Sequence, residues 1–107
     1  HAAVDFSQTA EAIFNLIRGC DPQPGAYAQL DGRRIRLYEP ILDGAVVGNG
    51  PPGRIVSLDR DGLRLALADG TIVVRRVRVE SVSSKVAPSE LPPELGLAVG
   101  RQLQSGA

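Results

Sequence analysis

The sequence predicts a mainly β domain with one N-terminal helix, folded as a small sandwich or barrel, and three observations carry that expectation. Apolar residues at Phe6, Ala10, Ile13, Phe14 and Ile17 recur with helical spacing. From Ala26 onward, short runs that alternate apolar and charged residues are separated by Asp-Gly and Gly-Pro turns, about eight to twelve residues apart. At 107 residues the chain is one domain, and folding at this size buries roughly 60 to 70% of the unfolded surface, enough for one modest core.

The first element opens at Asp5-Phe6-Ser7, where the Ser7 hydroxyl can accept from the unpaired N–H groups of a first helical turn. Both phenylalanines fall on the apolar face that follows, so the helix covers an aliphatic sheet with its aromatic side. Arg18 sets a cation at the negative end of the helix dipole, and Gly19 offers a left-handed stop. Pro22 and Pro24 forbid helix beyond that point and bias Asp21 and Gln23 to extended backbone. Gly25 then lets the chain turn or approach a neighbour closely before Ala26–Leu30 starts the first strand.

Asp31-Gly32 is a hairpin signal, and Arg34–Tyr38 alternates as a half-buried second strand. Asp43 to Pro52 is a loop. Gly53–Leu58 is a third strand, Asp59–Gly62 a turn, and Leu63–Leu67 a fourth strand with its leucines on one face. After the Asp69-Gly70 turn come Ile72, Val74, Val77 and Val79, whose change of parity across Arg75-Arg76 predicts a bulge or sharp bend. Ser89 is read as the cap of one short turn ended by Pro92-Pro93, and Ala98–Leu103 as a last short strand. Five to six short strands favour closure, which removes exposed edges.

The apolar share is 43% and the aromatic share 4% with no Trp, so the core is built from Val, Leu, Ile and Ala. Twelve basic and twelve acidic residues cancel, and no whole-domain field attracts a polyanion, although a local patch can. The basic set is eleven Arg and Lys85. The single Cys20 excludes an internal disulfide. No apolar run approaches the length of a membrane span and no secretory leader is present at the start, so no membrane partner and a cytoplasmic location are expected. A chain that begins at His1 and has no Met reads as a piece of a longer polypeptide.

No catalytic constellation emerges. A nucleophile needs an adjacent base, and His1 is the only histidine. One His and one Cys do not make a zinc site, and no metal is expected. Asp59 and Asp61 flank a turn, where Asp is favoured for bonding its own backbone. Gly48 to Gly53 resembles a phosphate cradle, but a strand follows where such loops lead into a helix. There remain three cationic groups: Arg33-Arg34-Arg36, Arg75-Arg76-Arg78, and the pair Arg18 and Lys85. Alternate arginines either solvate the outer face of a strand or form a surface that tracks a nucleic-acid backbone. Only Tyr27 and Tyr38 could stack on bases.

The run D-F-S-x-x-A-E-A-I-F-N-L-I-R-G-C-D-P-Q-P-G-A-Y, Asp5 to Tyr27, resembles the start of the C-terminal domain of the 10-formyltetrahydrofolate-dependent formyltransferases of the methionyl-tRNA formyltransferase type. Its core is Ile17, Arg18, Gly19, Pro22, Pro24, Gly25 and Ala26. The similarity continues in Pro52-Gly53-Arg54-Ile55, Asp61-Gly62-Leu63, Ala87, Gly96-Leu97 and Gly100-Arg101-Gln102-Leu103. It implies a small open barrel of oligonucleotide-binding type spanning residues 1–107, with no catalytic residue and no cofactor of its own. In such a family a Rossmann-like N-terminal domain of the same chain holds 10-formyltetrahydrofolate and the catalytic groups. The resemblance also implies that Arg18, Arg33, Arg34, Arg36 and Lys85 are the candidate contacts to the formyl acceptor, either tRNA or a small molecule. The alternative is a structural module of a formyl-tetrahydrofolate hydrolase, a dehydrogenase or a sugar formyltransferase with no nucleic-acid role. Gln23 stands where the family often has an aromatic, and the domain is neutral where a tRNA binder is expected to be basic.

Overall fold

A computed structural model describes residues 2–42, 50–79 and 84–106. One helix, α1 (Ala10–Cys20), precedes five strands: β1 (Ala26–Leu30), β2 (Arg33–Leu42), β3 (Ile55–Asp59), β4 (Gly62–Leu67) and β5 (Gly70–Val79). Two 3-10 turns follow, Pro88–Glu90 and Pro93–Leu95. The strands form one antiparallel sheet in the order β1-β2-β5-β4-β3, a small open barrel whose free edges are β1 and β3.

The helix starts later than its sequence pattern suggests. Thr9, not Ser7, is the N-cap, with its hydroxyl accepting from the Ala12 N–H at 3.1 Å. Ser7 is occupied by Asp5, whose carboxylate accepts from both its backbone N–H and its hydroxyl. A second cap arrives from the β4–β5 turn, where the Asp69 carboxylate accepts from the Ala10 N–H at 2.7 Å. Phe6 therefore lies outside the helix, although it is buried in the core, and Phe14 is half-buried. Ile13 and Ile17 are the fully buried positions of α1, which packs chiefly on β2. Burial on that scale contributes about 1.5 to 3 kcal/mol per side chain.

The helix also runs through Gly19 and ends at Asp21, whose backbone is extended. Pro22 is the physical stop, because the residue before a proline is sterically biased away from helix. Both Asp21-Pro22 and Gln23-Pro24 peptides are cis. The left-handed residue of this exit is Gly25, at φ 83°, and its N–H donates to the Cys20 carbonyl at 3.0 Å, satisfying a helix-end acceptor.

The β1–β2 hairpin turns at Asp31 and Gly32, both with positive φ, as a two-residue turn requires. β2 extends to Leu42, past the predicted end at Tyr38. Its pairing with β5 keeps one register from Ile35↔Val79 to Leu42↔Ile72, so no bulge occurs at Arg75-Arg76. The parity change is taken up opposite Arg75 by Glu39, which sits at φ 55° and donates its N–H to the Asp21 carboxylate. β5 serves both halves of the barrel, with Gly70 to Val74 paired to β4 and Ile72 to Val79 paired to β2. Leu63, Leu65 and Leu67 all enter the core, as the β4 pattern predicts.

The C-terminal segment is not a strand. Ala87, rather than Ser89, precedes the first 3-10 turn, and Pro93 starts a second one instead of only ending the first. Residues 100–106 then run between the two free edges, bridging Gln104 to Gln29 on the β1 side and Gln102 to Arg54 beside β3. Leu103 is fully buried there. Its N–H donates to the Gly53 carbonyl, so the described end of the glycine-rich loop serves tail packing. The rest of that loop, 43–49, lies outside the described residues.

Candidate functional site

Antiparallel register decides which cations meet. Arg36 of β2 lies opposite Tyr27 of β1 on one side and Arg78 of β5 on the other, so these three side chains form one row across three strands. Two residues further along β2, Tyr38 projects on the same outer face by the two-residue period of a strand. An aromatic there would ordinarily meet solvent, yet Tyr38 is only 1% exposed. The exit of α1 covers it, with Pro22, Gln23 and Pro24 folding over the sheet and the Gly25 backbone against the phenol ring.

This covering leaves a cleft of about 390 Å³ lined by Pro22, Gln23, Pro24, Arg36, Tyr38, Arg78 and Lys85. Its cations are held by short contacts. Arg36 donates to the Gly25 carbonyl at 2.8 Å, and its guanidinium stands 5.0 Å from the Tyr27 ring centre. Arg78 Nε donates to the Tyr38 hydroxyl at 3.1 Å. Lys85 Nζ lies 2.9 Å from Asp21 Oδ1 and 4.1 Å from the Tyr38 ring centre. Asp21 uses its other oxygen to accept from the Glu39 N–H, which ties helix exit, β2 and the segment after β5 together. A partly exposed pair of this kind contributes at most about 1 kcal/mol, so Asp21 positions Lys85 more than it stabilises the fold.

The five candidate contact residues do not all gather here. Arg36 and Lys85 line the cleft. Arg34 lies beyond it, stacked 4.3 Å above the Tyr27 ring, and Arg33 is exposed at the start of β2. Arg18 stays on α1, 5.5 Å from the Phe14 ring centre and bonded to Asn15 Oδ1. The residue that the sequence pattern does not single out is Arg78, which the sequence groups with Arg75 and Arg76 rather than with Arg36. Alternation in β5 was the available signal, but only the register with β2 joins the two groups. Of the motif residues, Ile17 and Ala26 are fully buried, while Pro22 and Pro24 wall the cleft.

The arrangement offers cationic and phenolic donors and no nucleophile beside a base. Among the described residues no three His, Cys, Asp or Glu side chains converge as a metal site would require. None of the described helices is long and apolar enough to cross a membrane. The chemistry open to this cleft is recognition of an anion.

Residues 1–87 match the model of the family described as "Formyl transferase, C-terminal domain". The methionyl-tRNA formyltransferase of Geotalea uraniireducens is 36% identical over 77 residues, which are 72% of this chain and 24% of that protein. The enzyme of the same name from Streptococcus uberis is 36% identical over 75 residues, 70% of this chain and 23% of its own length. The chain thus spans about a quarter of the length of the curated relatives it matches. Among solved structures, HypX from Aquifex aeolicus in complex with tetrahydrofolic acid superposes with a TM-score of 0.73 at 21% identity, covering 90% of this chain and 17% of that one. At that identity the superposition speaks for the fold.

Proposed function

This chain belongs to the formyl transferase C-terminal domain family, and on that premise we propose that it is the non-catalytic C-terminal domain of a folate-dependent formyltransferase-type enzyme. It supports a Rossmann-like catalytic domain placed N-terminal in the same polypeptide. Its cation-lined cleft, with Arg34 and Tyr27 beside it, contacts the formyl acceptor, either tRNA or a small molecule. The observation that carries the reading is that the Pro22-Gln23-Pro24 segment of the family motif is itself a wall of the cleft. The motif and the cation cluster are therefore one structure.

10-Formyltetrahydrofolate, the formyl donor of such an enzyme, does not fit this cleft. A pterin needs an enclosed slot with matched donors and acceptors, whereas this cleft has exposed prolines on one side and cations on the other. The donor and the transfer step are assigned to the N-terminal domain, and the proposed location is the cytoplasm.

Titrating the chain with tRNA at low and at moderate salt tests the nucleic-acid part. Binding that weakens steeply as salt rises is expected, since phosphate contacts release counterions. Lack of binding at low salt would remove tRNA as the acceptor. A second reading is favoured by a groove of about 210 Å³ along α1, lined by Ala3, Asp5, Gln8, Ala12, Ile13 and Leu16. There the domain is a structural module whose helix packs on the N-terminal domain of a hydrolase, a dehydrogenase or a sugar formyltransferase. Leu16→Asp would then weaken association with a separately produced N-terminal domain and leave tRNA binding unchanged.

A further inference from the structure

We propose that the cleft is a seat for a terminal phosphate, a monoester dianion, rather than one station on a diester backbone. The proposal deepens the acceptor-contact reading and rests on it for the identity of the carrier molecule.

Three donors approach one volume from three different elements. Arg36 comes from β2, Arg78 from its cross-strand position on β5, and Lys85 from the segment after β5. A planar carboxylate is satisfied by one guanidinium in its own plane, while a tetrahedral phosphate presents oxygens to several directions at once. The floor of the cleft adds a fourth donor. The Tyr38 oxygen accepts from Arg78 Nε, and its own O–H has no acceptor among the described residues. A buried phenol lining a cleft with its hydrogen unassigned is suited to donate to an incoming oxygen.

The shape selects an end rather than a chain. Pro22, Gln23 and Pro24 wall one side and the buried Tyr38 forms the floor, which leaves less room for the two ester bonds of a diester than for the one of a monoester. The volume, about 390 Å³, holds a phosphate together with part of the group that bears it. The 5′ end of an RNA and a phosphorylated small acceptor supply the same dianion.

The test follows backbone and side-chain signals of the 15N-labelled chain at constant ionic strength. Inorganic phosphate is expected to shift Gln23, Tyr38, Arg78 and Lys85 saturably, with dimethyl phosphate roughly ten-fold weaker or worse. Lys85→Gln and Arg78→Gln should each weaken phosphate binding about ten-fold. Lys85 is exposed, so that variant keeps its fold and makes the test decisive. Equal response to the two phosphates, or unchanged binding in Lys85→Gln, overturns the proposal. A matched pair of RNA oligonucleotides with 5′-phosphate and 5′-hydroxyl, and glucose 6-phosphate against glucose, separate the two sources. Preference for the phosphorylated member of either pair supports the seat, and preference in neither overturns it. Should tRNA bind equally with and without its 5′-phosphate while inorganic phosphate shifts nothing, the seat fails and the acceptor reading stands. Should phosphate bind while tRNA does not, the seat stands and the tRNA reading fails.

Discussion

A β-carbon placed on Gly25 would lie 2.6 Å from the hydroxyl oxygen of Tyr38 and 2.7 Å from two of its ring carbons. The motif glycine is thus the point at which the helix exit presses on the outer face of β2. Gly25→Ala is expected to destabilise the domain by about 2 to 3 kcal/mol, through left-handed backbone and displacement of the ring. Gly19→Ala should act in the opposite direction. Gly19 is helical with open space around it, so alanine there gains about 0.5 to 1 kcal/mol. Urea denaturation of the two variants, read beside the parent chain, checks both signs.

The two caps of α1 come from opposite ends of the first two-thirds of the chain, Thr9 from the preceding residue and Asp69 from the β4–β5 turn. Thr9→Ala and Asp69→Ala should each cost about 1 kcal/mol. Asp69→Asn keeps an acceptor and loses the charge, so a loss smaller than that of alanine is expected. Thermal melts of the three variants measure the order.

Leu103, not Arg101, anchors the tail between the barrel edges. Arg101 Nη2 donates to both carboxylate oxygens of Asp31, at 2.8 and 2.9 Å, but both side chains are largely in water, and Arg101→Ala is expected to cost under about 1 kcal/mol. Leu103→Ala removes a side chain with no exposure and should cost about 2 to 4 kcal/mol. A chain ending at Gly100 uncovers the β1 and β3 edges. It is expected to self-associate, as seen by light scattering, while Arg101→Ala stays monodisperse.

Asp5 accepts from the Ser7 hydroxyl and then from the Ser7 N–H, and these bonds hold its carboxyl below the ordinary value of 3.8. A depressed carboxyl stabilises the folded state above the unfolded value, and that contribution is lost as pH falls from about 4 through the folded value. Ser7→Ala should raise the Asp5 pKa toward 3.8 and flatten the acid end of the stability profile. Direct NMR titration of the Asp5 side chain gives the shift.

Ile13 and Ile17 announced the helix, and the Asp-Gly turns announced the hairpins, because both signals are local periodicities that tertiary contacts only reinforce. The start of α1 was not legible for the converse reason. Ser7 and Thr9 are both competent caps, and the choice was made by Asp5, which engages Ser7, and by Asp69, which is distant in sequence. Gly19 misled as a helix stop because Pro22 acts through sterics on Asp21 one turn later. The tail Ala98–Leu103 has strand composition, yet Gln102 within it and Gln104 just past it touch two edges through single bridges rather than one edge through a ladder. For the cleft, the cations were visible as types and the motif as a pattern. Their meeting was not, since Arg36 and Arg78 become neighbours only through the β2–β5 register.

The first and last described segments run along the same strand. At the front the Val4 N–H donates to the Tyr27 carbonyl and the Tyr27 N–H to the Ala2 carbonyl, the Gly106 N–H donates to the Val4 carbonyl, and the Phe6 N–H donates to the Ser105 hydroxyl. Entry and exit therefore share a single seam beside β1. A polypeptide arranged in this way can be grafted into another through one short joint, with neither splice opening the barrel.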